Sequence, residues 1–204
     1  VYLYTFGCPR VGKKDFAINS AARIDKTFRC VHGNDPVPKV PVWPFIHMHG
    51  NEYLSSREQG ISLSAHYMTN YISTTKHNDW NNIYYQSAGS LKERVVLSYQ
   101  NRMQASYSTF WADKLAKALL TLLIDAGYSA TIATAQVVGA SIGTVYDLMA
   151  KTVAEIAQIE GHKGQVEGLL GYMMVFSGVI ATLPAIITYP FIKMVFDKAI
   201  GRLM

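Results

Sequence analysis

One carboxylate and a set of histidines are the residues of this chain best suited to chemistry. Asp35 stands in the turn Gly33-Asn34-Asp35-Pro36, directly after the β-branched and aromatic run Thr27-Phe28-Arg29-Cys30-Val31-His32. Parallel sheets present functional groups at the carboxyl ends of their strands, and a carboxylate there can orient an imidazole. Pro36 biases Asp35 toward extended backbone, so Asp35 to Pro41 reads as a stiff extended segment leaving the sheet. Taken alone, the aspartate is better read as an Asx turn or a helix cap. His47, His49, His66, His77 and His162 all follow it. In a Ser–His–Asp triad the acid fixes the imidazole tautomer and stabilises the imidazolium, and one chain order for such triads is serine, acid, histidine.

The serine is the missing piece. The one Gly-x-Ser-x-Gly string, Gly139-Ala140-Ser141-Ile142-Gly143, follows the acid and all but the last histidine. It lies in a small-residue apolar stretch with no strand-to-helix turn, and the motif counts only in that context. Gly139 and Gly143 read instead as a small-xxx-small packing face. Neither Cys8 nor Cys30 belongs to a Cys-x-x-Cys pair, and a structural zinc site needs more ligands. Two free thiols fit better than a disulfide. No metal or organic cofactor is called for.

Elements that would hold Asp35 are legible around it. Val1 to Phe6 is an apolar, strand-like run closed by Gly7, and Lys13 to Asp25 carries Phe16, Ser20 and Ile24 at fourfold spacing beside Ala17 and Ala21. With Thr27–His32 as a second strand, this is strand, helix, strand. That order implies a right-handed βαβ crossover and a parallel sheet. The fold expected is therefore α/β over residues 1–75. A polar linker over 76–110 follows, with a short helix near Leu91 to Tyr99, then an all-α apolar region over 111–204. Because Val1 already stands inside a strand-like run, the chain reads as a fragment.

At this point the residues resemble a known family. Tyr4-Thr5-Phe6-Gly7-Cys8-Pro9-Arg10-Val11-Gly12, followed by Val31-His32-Gly33-Asn34-Asp35-Pro36-Val37-Pro38-Lys39-Val40-Pro41, is similar to class 3 (fungal-type) lipases of the α/β-hydrolase fold. Phe45-Ile46-His47-Met48-His49-Gly50-Asn51-Glu52 resembles that family's aromatic-x-His-x-Gly-x-Glu block, one residue out of register. The resemblance covers about the first 75 residues. It implies a Ser–Asp–His triad in which Asp35 is the acid. His47 and His49 fall in a structural block, whereas Ala65-His66-Tyr67-Met68-Thr69-Asn70-Tyr71-Ile72 resembles the later motif that carries the base, which implies His66. The family's serine elbow lies on the strand before the one that opens this chain. The expected activity is therefore hydrolysis of lipid carboxylic esters, triacylglycerol or phospholipid, by a longer protein, and this chain alone is expected to be inactive. His32 is expected to be structural, and His77 and His162 solvated.

Composition bears on partners. Half of the 204 residues are hydrophobic, 16% are charged and the net charge is +5. Such a balance favours anionic lipid surfaces and is too weak to name a nucleic acid. Ala126–Tyr146 has 21 residues without a charge and Gly168–Ile192 has 25. As one helix the second run is long enough to span a bilayer, roughly 37 Å at ~1.5 Å per residue. With Leu119–Ile124 ahead of it, the first run fits one arm of a membrane hairpin over 119–146. A lipase joined to an apolar helical tail resembles secreted bacterial lipase effectors, toxins that imply an inhibitory or chaperone partner. The competing reading is a membrane-inserting or pore-forming module carried by a lipase-like domain.

Overall fold

The computed structural model describes residues 1–42, 44–48, 51–87, 93–136, 141–179 and 182–203. Contacts divide the chain into two compact units, Val1–Leu91 and Lys92–Met204.

The first unit is built on one sheet. Its elements are β1 (Tyr2–Phe6), α1 (Lys14–Ala21), β2 (Lys26–His32), β3 (Asn51–Ser56), α2 (Met68–Thr75) and β4 (Tyr84–Ser87), and the strands lie in the order β1-β2-β3-β4. β1, β2 and β3 run parallel, with Tyr4 opposite Phe28 and Cys30 opposite Tyr53, and β4 runs antiparallel to β3. The β1-α1-β2 order read from the sequence is therefore present. α1 is shorter than its spacing implies, because residues after Ala21 are spent turning the chain back. Arg23 N–H bonds the Ser20 carbonyl, and Asp25 N–H bonds the Val1 carbonyl to start the β1–β2 pairing.

Alternation divides the sheet into two chemically different faces. On one, Tyr4 stacks on Phe28 with ring centroids 4.8 Å apart, and the Trp80 ring lies 5.0 Å from both Phe28 and Tyr53. Both Trp80 and β4 come from the polar stretch after residue 75, so that stretch covers and extends the sheet. The residues that alternate with these, Arg29 and Glu52, form a buried ion cluster. Arg29 Nη2 donates to Glu52 Oε1 at 3.1 Å, and Lys39 Nζ donates to both Glu52 oxygens at 2.7 and 2.8 Å. The cluster ties the loop after β2 to β3. Cys8 and Cys30 are free thiols, and burial pushes the Cys30 thiol up to about 11.

Among the described residues the second unit contains no strand. It holds α3 (Thr109–Asp125), α4 (Ser129–Ala135), α5 (Ile142–Ile156), α6 (Lys163–Phe176) and α7 (Tyr189–Gly201), with a 3-10 segment at Tyr99–Gln104. The short helix expected near 91–99 is not there: 93–98 are non-helical, and Leu91 and Lys92 lie outside the described residues. Leu123, Met149, Val153, Ile156, Val166, Leu170, Met174, Phe176, Ile192 and Val195 are each no more than 1% exposed and form the unit's own core. Gly168 and Gly171 let α6 approach the segment before it. A Cβ at Gly168 would sit 1.8 Å from the Leu97 carbonyl oxygen, and one at Gly171 would sit 2.5 Å from the Tyr99 ring.

The charge-free runs are not continuous helices. Gly127 (φ +80°) follows the end of α3 within the first run, and Gly178 (φ +77°) follows the end of α6 within the second. Both adopt the left-handed backbone that closes a helix and favours glycine. Residues 182–188 are non-helical, and Pro190 is seated in the first turn of α7, where its missing N–H costs nothing. No described helix is long and apolar enough to cross a membrane. Among the described residues, the apolar side chains of these helices pack into the unit's own core.

Candidate functional site

Asp35 is placed by the end of β2. Gly33 N–H bonds the Ser56 carbonyl at 3.0 Å, holding the turn against the end of β3. A side chain is impossible at Gly33, where a Cβ would lie 2.5 Å from the Glu58 carbonyl oxygen. Asp35 Oδ1 accepts the Val37 N–H at 2.8 Å, an Asx-type bond that starts a 3-10 turn over Val37–Lys39. The extended segment expected after Asp35 is thus a turn, because proline's fixed φ suits a 3-10 start as well as an extended chain. This Asx-type bond occupies Oδ1 and leaves the other carboxylate oxygen, Oδ2, to side-chain donors.

That oxygen meets the histidine the sequence singles out. His66 closes a 3-10 turn (Leu63–His66) just before α2, and its Nδ1 lies 2.9 Å from Asp35 Oδ2. A carboxylate accepts from Nδ1–H, and in that tautomer a neutral imidazole leaves the lone pair on Nε2. Nε2 has no protein partner among the described residues, and the side chain is 41% exposed while Asp35 is fully buried. Gly7, the residue after β1, makes room for the ring. Its φ is +64°, and a Cβ there would lie 2.9 Å from His66 Cε1 and Nδ1.

A third group, Tyr71 on α2, was not singled out by sequence reasoning. Its hydroxyl donates to Asp35 Oδ2 at 2.6 Å and accepts the His32 N–H at 3.1 Å. Burial and then the bond to Asp35 hold its phenol well above the usual range, so it remains a proton donor. The one sequence signal was its place five residues after His66, which brings it back to Asp35 once the turn into α2 forms.

Of the other histidines, His47 and His32 are engaged within the sheet unit. His47 Nε2 donates to the Pro38 carbonyl at 2.8 Å. Burial, and then the positive field of Arg29, push His47 down to about 3, so it is neutral over the physiological range. His49 lies outside the described residues. His32 is buried and bonds Asn34 Oδ1 through Nδ1 at 2.8 Å, as a structural residue would. His77 is exposed, and His162 lies 3.3 Å from Gln165 Oε1. Ser141 belongs to the helical unit and caps α5: its Oγ accepts the Thr144 N–H at 3.1 Å and lies 2.7 Å from the Thr144 hydroxyl. Gly139 and Ala140 lie outside the described residues. Among the described residues no cluster of His, Cys, Asp or Glu could hold a metal ion.

Residues 1–45 match the family model described as lipase (class 3). The match spans β1, α1, β2 and Asp35, where the two longest motifs of the resemblance stand, and it supports a lipase-like hydrolase segment over this part of the chain. His66 lies beyond it. No curated protein and no solved structure matches the chain.

Proposed function

We propose that Asp35 and His66 are the acid and the general base of a serine ester hydrolase acting on lipid carboxylic esters, whose nucleophilic serine lies outside these 204 residues. The observation that carries this reading is the bond from His66 Nδ1 to the buried Asp35 carboxylate, with Nε2 left without a protein partner among the described residues. That is the polarity a triad base needs. The class 3 lipase match over residues 1–45 supports the same chemistry. Leu63, Tyr67, Met68 and Ile72, all more than half exposed and within six residues of His66, favour an apolar substrate.

In the reaction, His66 Nε2 takes the proton of the serine hydroxyl as its oxygen attacks the ester carbonyl. The imidazolium that forms is stabilised by Asp35, which keeps its own negative charge. Collapse of the tetrahedral intermediate breaks the bond to the alcohol, and His66 returns its proton to that leaving oxygen. Water then attacks the acyl-serine and gives a proton to His66, which passes it to the serine oxygen as the acyl–oxygen bond breaks and the acid departs. Donors for the oxyanion would come with the serine, from the same outside segment.

The test is hydrolysis of a medium-chain nitrophenyl ester by a longer protein that includes the residues ahead of Val1. Asp35→Asn is expected to lower kcat by about 10⁴-fold, the loss seen when a triad histidine is held in the wrong tautomer, and His66→Ala by at least as much. Full activity in the His66→Ala variant would return the base to His47 or His49 and overturn the assignment.

A further inference from the structure

We propose that Tyr71 is a positioning residue that sets how strongly Asp35 holds His66. The inference rests on Asp35 and His66 being an acid–base pair and adds a group that acts through the acid.

The two oxygens of Asp35 are used differently. Oδ1 accepts one backbone N–H, from Val37 at 2.8 Å. Oδ2 accepts two side-chain donors, the Tyr71 hydroxyl at 2.6 Å and His66 Nδ1 at 2.9 Å. Two donors on one oxygen share its negative charge, so strengthening one bond weakens the other.

Tyr71 is built to take a fixed share. Its oxygen accepts the His32 N–H at 3.1 Å, which leaves the hydroxyl proton directed at Asp35. Its ring packs edge-on to Phe6 at 6.2 Å and to His32 at 6.1 Å, and the residue is 1% exposed. His66 is free to swing outward, whereas Tyr71 is not. The tyrosine therefore fixes the direction of the carboxylate and moderates its pull on the imidazole.

The experiment follows the low-field Nδ1–H proton resonance of His66 by NMR in residues 1–204. Tyr71→Phe removes the competing donor, so the His66 bond shortens and the resonance moves downfield. Incorporation of 3-fluorotyrosine at position 71 makes the phenol a stronger donor, so the His66 bond lengthens and the resonance moves upfield. A merely structural tyrosine does not give opposite shifts. Shifts in the same direction, or no shift in either protein, overturn the proposal. If Tyr71→Phe does not fold, the fluorinated protein decides alone, and the absence of an upfield shift refutes it. The resonance is read without turnover, so an inert longer protein would count against the lipase reading and leave this result standing.

Discussion

Replacing Gly7 by alanine tests whether the turn after β1 is shaped around His66. Two costs follow from the geometry. The residue sits at φ +64°, a left-handed conformation that costs a side-chain-bearing residue about 1–2 kcal/mol. The added Cβ would also lie 2.9 Å from His66 Cε1 and Nδ1 and 3.1 Å from the Tyr71 hydroxyl, which is overpacking of a kind that costs about 1–3 kcal/mol. Together these give about 2–5 kcal/mol. Tyr71 is 1% exposed and cannot retreat, whereas the His66 side chain is 41% exposed and can. The imidazole should therefore yield by swinging toward solvent, placing the cost in the lower half of that range and breaking the bond to Asp35. Native-state hydrogen exchange at the β2 amides measures opening of this unit separately from the helical one. Exchange should quicken by roughly 30- to 300-fold, and the His66 Nδ1–H resonance should disappear into solvent exchange. Exchange accelerated less than about threefold, with that resonance unchanged, would refute the packing argument.

Three further outcomes follow from the same contacts. Glu52→Gln removes the anion shared by the buried Arg29 and Lys39. It should destabilise the sheet unit by about 3–5 kcal/mol, read as faster exchange at β2 and β3, and an effect below about 1 kcal/mol would mean the cluster anchors nothing. His47 is held near 3, below its ordinary value, so the unfolded chain binds the proton more readily. The stability from its burial is complete above about pH 6.5 and is lost as pH falls toward 3, with a slope of up to about 1.4 kcal/mol per pH unit. In His47→Gln, urea melts across that window should show a smaller slope, and an identical slope would contradict the burial. Gly168→Ala places a Cβ 1.8 Å from the Leu97 carbonyl oxygen, so α6 must move off the 97–99 segment. The helical unit should lose about 1–3 kcal/mol or more with the sheet unit's exchange unaltered, and an unchanged melting curve would sink this account of the glycine.

The parts of the fold written in local patterns were legible in the sequence. β1, α1 and β2 announce themselves by period and by Gly7 and Gly33, and Asp35 follows from its place after a strand. His66 needed the family motif, because nothing local separates it from His47. The rest depended on tertiary contacts. Tyr71 is an ordinary helix tyrosine until α2 packs against the end of β2 and carries its hydroxyl to Asp35. The polar composition of 76–87 hid a fourth strand, because β4 runs along the edge of the sheet, where one side meets solvent, and needs no continuous apolar run. The charge-free stretches beyond residue 125 satisfy a bilayer and a helical core equally well. Gly127, Gly178 and Pro190 set where the described helices end or start, and no periodicity in these runs announces those breaks.

As a triad base, His66 would activate a serine other than Ser141. The most direct measurement is the rate at which an alkyl fluorophosphonate labels the longer protein, with the modified residue located by mass spectrometry. One labelled serine is expected, ahead of Val1, labelled rapidly in the parent and in His47→Ala and at least a thousandfold more slowly in His66→Ala, on the order of a triad base's contribution. Label on Ser141, or labelling at the parent rate in His66→Ala, would contradict this reading.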